Sequence, residues 1–160
     1  MVKQEESFHN VLGGDELDAA NLLMPLVGFL PAKDPKMTST IQHIREELSK
    51  DDLVYRYNVE DGQLGKEGAF TVCSFWMVDC LTRLGKLGEA EGLLNQLLKR
   101  GNHLGLYSEE IDPVTGEALG NFPQAYTHMG LITASVRLEE ARRKTGFMRY
   151  ARALSNRISG

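Results

Sequence analysis

The sequence predicts an all-α protein built as a two-layered ring of helix pairs, and two observations support this. Apolar residues recur at helical spacing in five segments, with a weaker sixth near the C-terminus. Segments that are apolar on nearly every face alternate with segments that carry one apolar stripe. An inner ring of buried helices, wrapped by an outer ring of surface helices, produces that alternation.

The first two predicted helices show this alternation of buried and surface helices. Residues 15–30 are apolar nearly all round after Asn21, which predicts a buried helix that ends before the next proline and is kinked by Pro25. The second helix begins at Asp34, a good N-cap, with Pro35 at the favoured first position. Its apolar residues form one stripe, so it is predicted to lie at the surface: Met37, Ile41, Ile44 and Leu48.

Three further helices continue the order, and a fourth is weaker. Residues 70–84 predict a buried helix, and residues 87–100 predict an amphipathic surface helix. Residues 122–142 predict a third buried helix, capped by Asn121. A separate basic helix is expected after Gly146.

The connections agree with a ring. The links from inner to outer helices are short, whereas those from outer to inner helices, residues 49–69 and 102–121, are long. Both long loops are expected at the same end of the ring, because every inner helix starts there. Long loops on a rigid scaffold are where binding and catalytic groups usually lie.

Composition and charge narrow the class of protein to which the chain can belong. The 160 residues fit a single domain over residues 1–160, and 42% hydrophobic with 25% charged residues is typical of soluble globular proteins. The net charge of -4 argues against a nucleic-acid partner. Cys73 and Cys80 would lie about 10 Å apart on one helix, too far for a disulfide, which favours reduced thiols and a cytoplasmic location.

The sequence does not indicate a signal peptide, a membrane-spanning segment or a metal site. The N-terminal residues MVKQEESFHN are polar and acidic, unlike a signal peptide. The most apolar run, residues 22–30, is too short to span a membrane. The four histidines have no ligand spacing, so neither a metal site nor a cofactor is expected.

The long loops carry residues suited to carbohydrate chemistry. One contains the carboxylate pair Glu109 and Glu110, and the other contains Arg56 among tyrosines and acids. Sugar chemistry needs carboxyls that transfer protons, rings that stack on sugars and forked donors that bind hydroxyls.

Three segments in order resemble the C-terminal part of glycoside hydrolase family 15, the glucoamylase and glucodextranase family. They read GGDELDAANLLMPLVGFLP, LVYRYNVEDGQLGKEGAFTVCSFWMVDCL and LGLYSEEIDPVTGEALGNFPQAYTHMGLI. The resemblance implies about half of an (α/α)6 barrel, with five to six helices. It also implies a part in the inverting hydrolysis of α-glucosidic bonds in an α-glucan or malto-oligosaccharide.

The resemblance assigns residues within these motifs. Glu109, the first acid of SEE, corresponds to the general base, and Arg56 corresponds to an arginine that binds sugar hydroxyls. Glu60 and Asp61 match the acidic pair after it, and Tyr107 is a further substrate-binding candidate. The alternatives are a solvated loop acid at Glu109 and an ion pair from Arg56 to Glu60 or Asp61.

The resemblance covers only half of a barrel. The family's general acid belongs to the N-terminal half, so the chain is expected to be inactive alone, and whether it is an enzyme stays open. It would be a fragment, a truncated relative or one subunit of a ring. The alternatives are a non-catalytic carbohydrate-binding or regulatory module and a helical self-associating protein.

Half a ring also predicts open flanks that drive association. The partner would be a second copy or the missing N-terminal half. The predicted flank residues are Leu22, Leu23 and Val27 on one side and Met129, Ile132 and Val136 on the other.

Overall fold

The computed structural model describes residues 7–57 and 68–158, with side-chain surroundings up to residue 148. This part of the chain is mainly helical, as predicted. Its helices are a 3-10 turn at Ala19–Leu22, α1 (Leu23–Leu26), α2 (Pro35–Glu47), α3 (Thr71–Leu84), α4 (Leu87–Leu98) and α5 (Ala125–Ile158). Its strands are β1 (Ser49–Lys50), β2 (Leu53–Val54), β3 (Ala69–Phe70), β4 (Glu110–Ile111) and β5 (Ala118–Leu119).

The first helix is much shorter than predicted. Instead of one kinked helix, a 3-10 turn capped by Asp18 leads into the single turn of α1. Pro25 has no N–H to donate to the carbonyl four residues earlier, so a helix cannot run through it unbroken. Gly28, with φ +77°, then takes the chain out of helical geometry.

The second helix is as predicted. The Asp34 carboxylate accepts hydrogen bonds from the N–H groups of Lys36 (2.9 Å) and Met37 (3.3 Å), with Pro35 in the first helical position. Met37, Ile41 and Ile44 are buried. One apolar stripe therefore holds α2 against the core.

Helix α3 is the centre of the molecule and shows the two layers. All residues from Thr71 to Thr82 are buried. Met77 and Leu81 face clefts lined by the outer helices α2 and α4. Phe75 and Trp76 face the opposite way, into a groove lined by α1 and α5. The predicted alternation of inner and outer helices is confirmed.

Helix α5 differs from the prediction at both ends. It begins at Ala125 rather than residue 122, after the cis peptide bond between Phe122 and Pro123. It then continues through Gly146, so the separate sixth helix is wrong. A glycine inside a helix costs only about 1 kcal/mol, which the surrounding helix formers offset.

Short strands join the two long loops. Strands β1 and β2 form a hairpin, and β4 pairs with both β3 and β5 in a three-stranded antiparallel sheet. Because β3 ends the first loop and β4 lies in the second, the loops meet at the end of the molecule where α3 begins. The prediction that they share one end is confirmed.

The cysteines are free and buried, as predicted. Burial raises the pKa of both thiols, so each stays protonated and unreactive at neutral pH. Within the described residues, no helix is both long and apolar enough to cross a bilayer.

The open flanks are present, with one correction. Val27, Met129, Ile132 and Val136 are 54–74% exposed. Leu22 is fully buried, because the 3-10 turn directs it into the core rather than to the edge. The inner helices therefore keep an uncovered apolar surface.

Candidate functional site

Glu109 is held from three directions at the start of α3. Its carbonyl accepts from the N–H of Thr71, the first residue of α3, at 2.9 Å, and its own N–H donates to the Asn121 carbonyl at 2.9 Å. Its carboxylate oxygen Oε2 accepts from the Asn121 backbone N–H (3.0 Å) and side-chain amide (2.9 Å). No other described residue hydrogen-bonds this carboxylate, so Oε1 is available to an incoming group.

Gly120 makes this arrangement possible. Its φ of +69° lies in the left-handed region that side chains avoid. A Cβ on Gly120 would lie 2.8 Å from Glu109 Oε2. Glycine therefore permits both the turn after β5 and the close approach of the carboxylate.

The neighbouring acids Glu110 and Asp112 both hold the backbone of the loops. Glu110 Oε2 accepts from the N–H of Gly68 at 3.0 Å, which fastens β4 to the end of the first loop. Asp112 accepts from the N–H groups of Val114 (2.7 Å) and Thr115 (3.2 Å) and so closes the turn between β4 and β5.

Arg56 lies beside Asp18 rather than beside a described acid of its own loop. Its Nε is 3.7 Å from Asp18 Oδ1, and its side chain is 53% exposed. The Arg56 carbonyl accepts from the Ala19 N–H at 2.7 Å, which fixes the backbone of the first loop against the 3-10 turn. The Tyr57 ring lies beneath the guanidinium at 5.6 Å. The guanidinium is therefore anchored at one edge and open at the other.

The structure brings Glu109 and Arg56 to the same end of α3. Glu109 is bonded to Thr71. The N–H of Val54, two residues before Arg56, donates to Ser74 Oγ in the first turn of α3 at 2.9 Å. Both groups therefore lie around the first turn of one helix. Glu60 and Asp61 lie outside the described residues.

Tyr107 is placed in the core. It is 3% exposed, its ring packs edge-on against Phe75 and His128, and its hydroxyl donates to the Leu97 carbonyl at 3.2 Å. Burial raises the pKa of its hydroxyl. The predicted contact with substrate has no support in this geometry, since ring and hydroxyl are both occupied by the protein.

His128 is a satisfied residue, as expected for its place in a buried helix. Its Nε2 accepts from the Tyr107 N–H at 3.3 Å, so Nδ1 carries the proton and donates to the Gln124 carbonyl at 2.7 Å. The imidazole thus ties α5 to the loop segment that carries Glu109. Among the described residues, no group of acids, histidines and cysteines could hold a metal ion.

Sequence reasoning missed two functional contacts. Asn121 was predicted to cap the helix, which is wrong because α5 begins at Ala125. It anchors the carboxylate of Glu109 instead. Asp18 was not singled out, although an acid just before a helical run is typical of a cap. It caps the 3-10 turn and also faces Arg56.

Loops at one end of the helical half-ring carry a carboxylate held by amide N–H groups and a half-exposed arginine, residue types that suit carbohydrate chemistry. The comparisons with known proteins agree. The model of the family described as Glycosyl hydrolases family 15 matches residues 2–136, and the chain belongs to this family.

Curated relatives include several trehalases. The one from Mycolicibacterium smegmatis (strain ATCC 700084 / mc(2)155) is 50% identical over 132 residues, which cover 81% of this chain and 20% of the relative. The one from Thermoplasma acidophilum is 42% identical over 139 residues, covering 86% of this chain and 24% of the relative. The chain thus spans about a fifth to a quarter of these relatives.

Solved structures support the fold. A structure titled "Glycosidase Wild Type" matches with a TM-score of 0.70 at 17% identity, covering 84% of this chain and 39% of that one. One titled "Glycosidase E335A in complex with glucose" matches with a TM-score of 0.71 at 16% identity, with the same coverage. At such low identity the likeness shows a partial (α/α)6 barrel and nothing further.

Proposed function

We propose that this chain supplies the general-base side of an inverting α-glucosidase site, with Glu109 as the base and Arg56 as a sugar-binding group. The observation that carries the proposal is the paired hydrogen bond from Asn121 to one oxygen of the Glu109 carboxylate.

The hydrogen bonds suit a base. Two N–H donors on Oε2 hold the carboxylate in one orientation. Oε1 then remains to take a proton from water. In an inverting reaction that water attacks the anomeric carbon on the face opposite the leaving group.

Arg56 has a guanidinium that can turn to substrate. Its ion pair with Asp18 is long, at 3.7 Å, and half-exposed, so it is weak. The remaining N–H groups form the forked donor that neighbouring sugar hydroxyls require. Asp18 keeps the guanidinium at the mouth of the site in the absence of substrate.

Trehalose is the substrate we propose first, because the curated relatives are trehalases at 34–50% identity. The malto-oligosaccharide predicted from the sequence takes second place. Both substrates offer an α-glucosidic bond to the same base. The described residues therefore support cleavage of that type of bond more strongly than they support either leaving group.

An inverting site also needs a general acid across the bond. The two carboxyls of such a site lie roughly 6.5–9.5 Å apart. The acids next to Glu109 along the chain have structural partners, so we propose that the acid comes from the rest of a complete domain and that the chain alone is inactive. A carbohydrate-binding module is the second candidate, favoured by the exposure of Arg56.

A chimeric enzyme tests the proposal. This chain would replace the matching segment of the Mycolicibacterium smegmatis trehalase, with which it shares 50% identity. We expect the chimera to release glucose from trehalose, and Glu109→Gln to lower kcat by about 10²–10⁴-fold, the usual worth of a general base.

The matched control is Glu110→Gln, which removes the same charge one residue away. It should leave kcat within about tenfold, because within the described residues the carboxylate of Glu110 accepts only from the N–H of Gly68. Full activity in the Glu109→Gln chimera would refute the base. If the chimera is inactive but the chain binds trehalose, and Arg56→Ala abolishes binding, the binding module is the better account.

A further inference from the structure

A cleft of about 600 Å³ lies on the outer side of α3, between the outer helices α2 and α4. Met77, Leu93 and Val54 supply its apolar lining. The volume falls within the range of about 300–1,000 Å³ that small-molecule sites have. We call this space the outer cleft. Because it lies on the opposite side of α3 from the groove at Phe75 and Trp76, it is separate from the face at which the rest of the domain closes the ring.

The main charges of the outer cleft are already paired. Arg45 of α2 donates to Glu89 of α4 and so joins the two walls. Arg100 donates to Asp52 of the β1–β2 hairpin through two N–H groups, at 2.9 and 2.5 Å. These hydrogen bonds are the largest cause of the lowered pKa of Glu89 and of Asp52, so both acids are ionised and neutralised by their arginines. A strongly charged ligand would gain little from such a surface.

The remaining polar groups offer hydrogen bonds without a net charge. Gln96 presents an amide, and Ser49 has a buried Oγ that, within the described residues, has no hydrogen-bond partner. A buried hydroxyl without a partner is unfavourable. Asp51 adds one negative charge, and Lys86, 3.8 Å from Glu89, adds one positive charge. Donors and acceptors in balance suit a neutral molecule with several hydroxyl groups.

Gly92 keeps the outer cleft open. It lines the cleft within α4, and a Cβ on it would meet no described atom within 4 Å. A glycine inside a helix is less favourable than an alanine. Neither packing nor the helical backbone requires glycine at residue 92, so what the missing side chain provides is space in the cleft.

We propose that the outer cleft is a second binding site of this chain and takes a neutral sugar. Its aliphatic lining contacts the C–H groups of the sugar ring, while the Arg45–Glu89 pair and the Gln96 amide exchange hydrogen bonds with the hydroxyls. Glucose and trehalose share this chemistry, and the experiment below distinguishes them.

The β1–β2 hairpin connects the outer cleft to the candidate catalytic site. Val54 lines the cleft, and its N–H donates to Ser74 Oγ in the first turn of α3 at 2.9 Å. The N–H of Tyr55 donates to the Leu48 carbonyl at 2.8 Å, and Arg56 follows directly. A sugar held against the hairpin therefore restrains the backbone that carries Arg56. This consequence, unlike the cleft itself, rests on the proposed function.

Titration of the purified chain with glucose, and separately with trehalose, tests the proposal when it is followed by amide NMR. We expect the amides of residues 49–54 and 92–96 to shift, with a dissociation constant of roughly 1–10 mM for the sugar that fits. Gly92→Leu fills the cleft and should raise that constant by about tenfold or more.

The matched control is Gly88→Leu, one helical turn earlier on α4. A Cβ on Gly88 would also meet no described atom within 4 Å, but Gly88 is not among the residues that line the outer cleft. It should bind sugar like the wild type. Both variants replace a helical glycine with a good helix former, so neither should lower the urea midpoint of unfolding.

Arg56→Ala separates this proposal from the proposed function. Sugar bound at the Glu109 end of α3 should be lost in that variant, whereas the shifts at the outer cleft should persist. Cleft amides that respond to neither sugar, or equal sugar affinity in Gly92→Leu and Gly88→Leu, would overturn the outer cleft and leave the proposed function standing. A response of the cleft to sulfate or magnesium ions but not to sugar would also overturn it, because paired charges predict neither.

Discussion

Replacing Gly120 with alanine tests whether the backbone after β5 positions the Glu109 carboxylate. The left-handed backbone at φ +69° costs a residue with a Cβ about 1–2 kcal/mol. The new Cβ would also lie 2.8 Å from Glu109 Oε2 and 3.0 Å from Glu109 Cβ, which is closer than real Cβ contacts come. The carboxylate must therefore leave the two N–H groups of Asn121.

Gly116→Ala is the matched control. Gly116 has almost the same backbone, with φ +75°, but a Cβ there would meet only Arg100 Nη1, at an ordinary 3.9 Å. Both variants should lose about 1–2 kcal/mol in urea unfolding of the chain. In the trehalase chimera, only Gly120→Ala should lower kcat, by about tenfold or more, since one displaced hydrogen-bonding group is worth that much. Equal kcat for the two variants would refute the link between this glycine and the carboxylate.

Three further predictions concern charge and hydrogen bonding. The side-chain hydrogen bond from Arg100 holds the pKa of Asp52 below its usual value. This pair therefore stabilises the fold at any pH above about 3.9, the pKa of an aspartate in the unfolded chain. The stabilisation is lost as the pH falls through the lower pKa of Asp52 in the folded chain. Asp52→Asn should therefore cost about 1 kcal/mol in urea unfolding at pH 7 and progressively less as the pH falls below about 4. A cost that does not change with pH would contradict the ion pair. Asp79→Ala removes a carboxylate that is 2% exposed and paired with two arginines, so it should destabilise the chain by about 3 kcal/mol in the same assay. A change below about 0.5 kcal/mol would show that the two ion pairs contribute nothing to stability. Asn121→Ala keeps the backbone donor to Glu109 but removes the amide donor, so kcat of the chimera should fall about tenfold with KM little changed. An unchanged kcat would show that the amide of Asn121 is not needed to position Glu109.

The layered fold could be predicted because its signals are local. The stripe on α2 and its cap at Asp34 can be recognised without any tertiary information, and the all-round apolar pattern of α3 is typical of a helix buried on every side. The short α1 was missed because the sequence pattern is helical up to residue 30, whereas Pro25 and the left-handed Gly28 divide it. The two-residue strands were missed because they are too short to show any alternation.

The candidate site was predicted only in part, because its contacts are not local in sequence. The acids and the arginine are visible as residue types on long loops, but their partners depend on which loops meet. Asn121 reaches Glu109 across twelve residues of sequence, and Asp18 reaches Arg56 through the 3-10 turn. Tyr107 lies two residues before Glu109 in the sequence, yet its side chain is buried, with its ring against Phe75 and His128 and its hydroxyl on the Leu97 carbonyl. These partners are distant in sequence, so the motif alone could not show them.

The most direct test of the central claim is chemical rescue of a Glu109→Ala chimera acting on trehalose. A general base is needed only because water must lose a proton as it attacks, so the azide anion, which carries no proton, can replace base and water together. The account predicts that glucose release is lost and that azide restores cleavage with β-glucosyl azide as the product, detected by NMR. Undiminished glucose release from the Glu109→Ala chimera, or an azide product of α configuration, would contradict it.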